Sequence, residues 1–298
     1  MRILLPVLAA RAAANFPVPG ESKVHFHGAE YSIDKYLDNG SSSRIYAASK
    51  RSGPSGLPED VAVKVLCPKT EDYLKHIDQE VIALNKLNRL HSDNLVHLVA
   101  SSDVLDTQAT PRCRLLVLSR TGLDFDRFVG GTYDFNSPVL EGVDPKVEKK
   151  ISLEIFAASV GMLLADTLQM LHDAGVTHGD IYNYNVALSY PLGEQPVLID
   201  FGGAYLRESL SSEDFKTKCR QDVRQLTNFV AGIIVHRIVR DYGKELREPM
   251  KEKSPFVRLV AHVDDLTTLR GKLMAYMTQT LGEDFDNIDT SRIVYKAF

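Results

Sequence analysis

Asp180, Asn185 and Asp200 stand in two neighbouring stretches, HGDIYNYN at 178–185 and IDFG at 199–202. Asp200 offers a carboxylate and Asn185 an amide oxygen, hard ligands of the kind Mg²⁺ takes. Asp180 is a second carboxylate, placed to orient a hydroxyl if it lies in the same site. Far upstream, Lys64 closes the apolar run VAVK at 61–64. A lysine there could meet phosphate oxygens, or it could simply reach past a strand end to water. Taken singly, Asp180 and Asn185 would do no more than shape a turn after a helix. Taken together, the two carboxylates and the amide could hold a hard cation and orient a hydroxyl, if the fold brings them into one site.

The elements that must hold these residues are readable from periodicity. YSIDKYL, RIYAAS and VAVKVL are short β-branched or aromatic runs separated by turn-rich stretches, of which RSGPSGLPED is a surface loop. Ile77, Val81, Leu84 and Leu87 recur every three or four residues and predict a helix over 72–90. Strands are expected at 95–101 and 114–119, and 130–148 is loop-like. A long apolar helix is expected over 151–175, ending at Gly175. VALSY and PVLID bracket a turn, a second buried helix is expected to start near Asp222, and the tail is helical. Residues 1–30 read as an irregular lead-in, 31–118 as a β-rich lobe carrying one helix, and 119–298 as a connection followed by a helical lobe. The fold class is therefore α+β.

Composition narrows the function classes. With 298 residues, 44% hydrophobic and 25% charged, the chain can bury a substantial core. A net charge of −4 lacks the basic excess of a nucleic-acid binder. Three widely spaced cysteines, an odd number, argue against a disulfide framework and predict a reducing, cytoplasmic setting. MRILLPVLAARAAA imitates a secretory signal over residues 1–15, but Pro6 and Arg11 break its apolar run. No stretch is expected to span a membrane.

The motif pair H-x-D-x-x-x-x-N followed by D-F-G, read with VAVK upstream, resembles the eukaryotic-type protein kinase superfamily from about Tyr31 to Val239. The resemblance implies a two-lobed fold, ATP and Mg²⁺ as cofactors, and a protein or small-molecule acceptor. It implies Asp180 as the catalytic base, Asn185 and Asp200 as metal ligands, and Lys64 on the α- and β-phosphates, at a cleft and not in a core. Glu80, in HIDQEVIAL, would position Lys64, with Glu71 and Asp78 as competing acids. The glycine-rich loop aligns with LDNGSSSRIY, where Asp38, Gly40, Ser41, Ser42 and Ser43 would face the phosphates and only one glycine remains. Ile45 and Ala62 would roof the adenine and Leu118 would stand at its back. Ser119, Arg120 and Thr121 would offer it backbone groups, and Gly122 would turn the chain onward.

Three departures from the family pattern stand out. Gly179 replaces the arginine that, in the family, meets a phosphorylated loop; HGD is also the form of small-molecule and atypical kinases such as aminoglycoside phosphotransferases and Bud-type kinases. Switching through Ser209, Ser211, Ser212 or Thr217 is then not expected. Tyr182 stands where a lysine usually touches the transferred phosphate, a loss that Lys216, Lys218 or Arg220 could offset. There is no A-P-E, and Asp222, resembling the aspartate that opens the central helix, follows Asp200 closely. The resemblance implies a serine/threonine protein kinase; the departures leave open a small-molecule kinase or a nucleotide-binding pseudokinase that serves as an interaction module.

Overall fold

The computed structural model describes residues 20, 22–39, 43–67, 71–104, 113–125, 127, 153–190, 195–242 and 254–282. The described chain divides into two units. One holds residues up to Arg89 together with Val96–Arg120; the other holds Leu90–Leu95 and everything from Thr121.

The first unit is an antiparallel sheet with one helix. Its strands are β1 (Lys23–Phe26), β2 (Ala29–Asn39), β3 (Ser43–Ser52), β4 (Asp60–Leu66), β5 (Leu98–Val104) and β6 (Cys113–Ser119), in the spatial order β1-β2-β3-β4-β6-β5. β1 lies inside the stretch expected to be irregular. His27 and Gly28, both at positive φ, turn the chain into a hairpin with β2. KVHF is short and carries two polar residues, so only its buried face, Val24 and Phe26, marks it as a strand.

Registers sort the sheet into two faces. Tyr46, Ala48, Val61, Val63, Val65, Leu115 and Val117 join Tyr31 and Ile33 in a buried core on one side. The alternate positions point the other way, because side chains alternate along a strand. Ile45 is opposite Lys64, Ala47 opposite Ala62, Lys64 opposite Leu116 and Ala62 opposite Leu118, so these residues share the second face. Helix α1 (Glu71–Leu87) buries Ile77, Leu84 and Leu87. Its end is fastened to β5 through Asn88, whose amide donates to the Leu98 carbonyl at 2.6 Å and accepts from the Leu98 N–H at 2.9 Å.

Cys67 and Cys113 form a disulfide, with Cα atoms 4.2 Å apart. This corrects the cysteine reading. An odd count excludes complete pairing but not one bridge, and antiparallel pairing of Leu66 with Arg114 brings the next residues face to face. Cys219 is free.

The second unit is mainly helical. Helix α2 (Leu153–Asp173) is long and apolar enough to cross a membrane, contrary to expectation. Its Leu164, Leu168 and Leu171 are wholly buried, and it packs on α3 (Ser212–Tyr242) and α5 (Leu266–Leu281) as a core helix. Gly161 lets α2 approach those neighbours, since a Cβ there would stand 2.9 Å from both Val230 and Leu273. β7 (Thr121–Asp124) precedes α2, and β8 (Val176–Thr177), β9 (Val186–Ser189), β10 (Pro196–Leu198) and β11 (Tyr205–Leu206) lie between α2 and α3. β10-β9-β7 make one small sheet and β11-β8 another. Thr121 and Gly122 therefore begin a strand rather than a free turn. Helix α4 (Pro255–Val260) is capped by Ser254, which accepts from the Val257 N–H at 3.3 Å.

Helix α3 starts ten residues before the expected position at Asp222. Ser211 initiates it, its hydroxyl accepting from the Asp214 N–H at 3.1 Å, and Glu213 and Asp214 place negative charge in the first turn. These early turns carry few apolar residues, which is why periodicity alone misses them.

Candidate functional site

In the first unit Lys64 and Glu80 meet. The Lys64 ammonium donates to Glu80 Oε1 at 2.7 Å, and both residues are buried, at 4% and 2% exposure. Lys64 is thus enclosed together with its partner. Burying this pair is tolerable because each charge has an opposite partner. Asp78, a competing acid, is occupied by Arg114 at 2.5 Å. Glu71 lies among residues whose side chains are outside the description.

Ile45, Ala62, Lys64 and Leu118 share the sheet face opposite the core, with Ala62 and Leu118 each 8% exposed. Asp38 pairs with Ile45 beside a register shift, and Ser43 is opposite Leu66. Gly40, Ser41 and Ser42 lie outside the described residues. The Ser119 N–H donates to the His97 carbonyl at 2.8 Å, and its hydroxyl accepts from the His97 N–H at 2.9 Å. That amide is committed within the sheet lobe. Thr121 pairs with Ser189 of β9.

In the second unit one turn holds Asp180 and Asn185. The Asn185 amide nitrogen donates to the Asp180 carbonyl at 2.8 Å and to Asp180 Oδ2 at 2.7 Å. Both amide hydrogens are thereby used on Asp180, which leaves the Asn185 oxygen as the acceptor end. The Asn185 N–H closes the turn on the Tyr182 carbonyl at 2.9 Å. Asp200 takes φ 61° and ψ 82°, a left-handed conformation that costs a non-glycine residue energy and is found at functional sites. Its carboxylate caps the short 3-10 turn at Phe201–Gly203 by accepting from the Gly202 N–H at 3.2 Å.

This loop is held from below by α3. Asp222, with no exposed surface, accepts from the His178 N–H at 2.9 Å and the Gly179 N–H at 2.8 Å. Gln225, one helical turn on, accepts from the Ile181 N–H and donates to the Gly179 carbonyl, each at 3.1 Å. Two side chains on one helix face thus satisfy four backbone groups of the loop. Gln225 escaped the sequence reading. The signal for it was a polar residue three positions after Asp222, which puts both on one face of the helix.

His172 completes the anchor, donating from Nε2 to Asp222 at 2.9 Å. Burial disfavours its charge, but the bond to Asp222, with a further contribution from Cys219, outweighs that and pushes its pKa up to about 9. His178 is the opposite case. It is enclosed, and burial drives its pKa down despite nearby carboxylates. The neutral ring accepts from the Asp180 N–H at Nδ1, 3.3 Å, and donates from Nε2 to the Ile199 carbonyl, 3.0 Å. It also rests against Phe201, with centroids 4.7 Å apart.

Gly179 has φ +81°, and a Cβ on it would lie 2.0 Å from the Gly203 carbonyl oxygen. A Cβ on Gly203 would in turn lie 3.2 Å from the Asp180 Cβ. The two strands of the site touch through bare backbone. Tyr182 and Tyr184 are exposed, at 54% and 66%. Lys216 and Arg220 face Glu213 at 3.9 and 3.7 Å, and Lys218 lies over the Tyr205 ring at 4.3 Å. The three cations are engaged on the helix surface.

No family model matches the chain. It is 26% identical over 190 residues to a probable bifunctional tRNA threonylcarbamoyladenosine biosynthesis protein of Methanosarcina barkeri (strain Fusaro / DSM 804), a match covering 62% of this chain and 27% of that one. The chain therefore spans less than a third of that curated relative. Among solved structures it resembles vaccinia related kinase 3, with a TM-score of 0.55, 14% identity, and coverage of 93% of this chain and 94% of the other. It also resembles the BubR1 kinase domain, with a TM-score of 0.54, 16% identity, and coverage of 92% and 88%. At these identities the likeness concerns fold. The fold is α+β and protein-kinase-like, with an antiparallel-sheet lobe and a helical lobe.

Proposed function

We propose that this protein is an ATP-dependent phosphotransferase that moves the γ-phosphoryl group of ATP to a hydroxyl, with a serine or threonine of a protein as acceptor. The observation that carries this reading is the Asp180–Asn185 pair, in which Asn185 gives both amide hydrogens to Asp180. That bond orients its oxygen as a ligand and fixes one oxygen of Asp180. The donor set fits Mg²⁺: Asn185 offers an amide oxygen and Asp200 a carboxylate. Among the described residues no group of three or more His, Cys, Asp or Glu could hold an ion.

When bound, Mg²⁺ and ATP supply the transferable group and its charge neutralisation. The chain's own residues then have distinct tasks. Lys64, held by Glu80, binds phosphate oxygens as a point charge. Asp180 uses the oxygen not held by Asn185 to accept the acceptor hydroxyl's hydrogen bond and orient its attack. Asp222 and Gln225 keep the loop rigid, so the alignment costs no reorganisation during the reaction.

A second reading, transfer to a small molecule, is favoured by one observation. Only residues 201–211 separate Asp200 from α3, and protein kinases use a longer segment there to dock peptides. The sequence relation to a tRNA-modification protein is compatible with a non-peptide acceptor.

The test is labelled ATP with Mg²⁺, wild type beside Asp180→Asn, with generic protein acceptors and a metabolite panel. The variant should lose about 100-fold or more of transfer, the scale of a positioned acid–base group. Equal transfer by both proteins would remove Asp180 from the mechanism. Nucleotide binding without transfer to any acceptor would favour a pseudokinase.

A further inference from the structure

Four contacts in the sheet lobe close a circuit around Lys64. Lys64 holds Glu80 of α1 at 2.7 Å. Two residues earlier on the same helix, Asp78 is held by Arg114 at 2.5 Å. Arg114 is adjacent in sequence to Cys113, and Cys113 is bonded to Cys67. Cys67 lies three residues past Lys64 and four before Glu71, where α1 begins. The disulfide is thus one link in a ring whose other links are two ion pairs and the β4–β6 ladder, which pairs Lys64 with Leu116 and Leu66 with Arg114.

We infer that Cys67 and Cys113 are a reversible dithiol–disulfide switch that sets the position of α1 and, through Glu80, of Lys64. This rests on the reading that Lys64 binds nucleotide. The two sulfurs differ in access: Cys113 is 2% exposed, whereas Cys67 is partly exposed at the end of the ladder. A thiolate of a cellular dithiol or of glutathione therefore attacks the Cys67 sulfur. The S–S bond breaks and Cys113 leaves as a thiolate that takes up a proton. The mixed disulfide on Cys67 is then resolved by the dithiol's second thiol, or by the thiolate of a second glutathione, which is oxidised as Cys67 is released, so two electrons pass to the protein. With the bridge open, the ladder is free to fray from Leu66 and Arg114, and the Arg114–Asp78 contact loses its fixed base.

The experiment uses the full chain. Peptide mapping without reductant should recover the Cys67–Cys113 pair after treatment with oxidised glutathione. Reduction by a dithiol should weaken ATP·Mg²⁺ binding about threefold or more and lower the melting temperature by about 5 °C. Cys67→Ser and Cys113→Ser should each stay at the weaker affinity in both conditions, while Cys219→Ser should keep the redox response. In Cys113→Ser, oxidised glutathione should leave its adduct on Cys67. Equal ATP affinity of the oxidised and reduced protein would overturn the switch, as would free thiols at both positions after oxidation. If neither form binds ATP, the nucleotide reading has failed. The switch is then judged by amide exchange, where reduction must lower protection in α1 and unchanged protection overturns it.

Discussion

Gly179 is where this chain departs most visibly from the kinase pattern, and its backbone explains the residue. At φ +81° with the Gly203 carbonyl 2.0 Å from any Cβ, the position admits no side chain. Gly179→Ala should move the loop that carries Asp180, cutting transfer at least about tenfold and costing on the order of 2 kcal/mol of stability. Gly179→Arg, which restores the commoner motif, should be worse than alanine. Gly56→Ala, in open space, should be neutral. Melting curves and labelled-ATP assays on the three variants decide this, and an active Gly179→Arg would refute the packing account. Reading the sequence finds the glycine but sees only a missing arginine. The reason lies 24 positions away at Gly203, in a contact that no local pattern encodes.

Among the elements, α1 and α3 do the positioning. Because Lys64 and Glu80 are both buried and bonded to each other, removing one takes an opposite charge away from the other in a poorly solvated place. Lys64→Met and Glu80→Leu should each cost about 3 kcal/mol, and the double variant should regain most of that. ATP binding should be lost in all variants lacking Lys64. Urea unfolding gives the stabilities, and a double variant no more stable than either single would contradict the pairing. Sequence periodicity located α1, α2 and most strands because each has an apolar face set by its core. It missed β1, which is short and half polar. It also missed the first turns of α3, whose charged residues face solvent and resemble a loop. The disulfide was invisible for a different reason, since pairing of Cys67 with Cys113 follows from strand register and not from cysteine number. Asp180 and Asn185 were legible through their spacing, whereas Gln225 belonged to no motif.

At the scale of the whole molecule, the buried His172–Asp222 pair ties stability to pH. The folded pKa of about 9 exceeds the ordinary histidine value. The folded state therefore binds the proton more tightly than the unfolded chain. Its stabilisation is fully present below about pH 6.5 and is lost as pH rises through about 9. Unfolding free energy should fall by on the order of 2 kcal/mol between pH 6.5 and 9.5, and His172→Gln should flatten that slope. Denaturant titrations across this range provide the check, and identical slopes for the two proteins would exclude His172 as the source. The net charge of −4 is small, so general self-repulsion adds little to this profile.

Helix α3 joins two things that are usually separate. Asp222, which grips the loop carrying Asp180, lies ten residues inside a rod whose outer end begins at Ser212. Those ten residues span about 15 Å without a joint. A load applied to the outer tip, by whatever molecule grasps it, is delivered to the grip on the loop in the same stroke, as by the long arm of a lever.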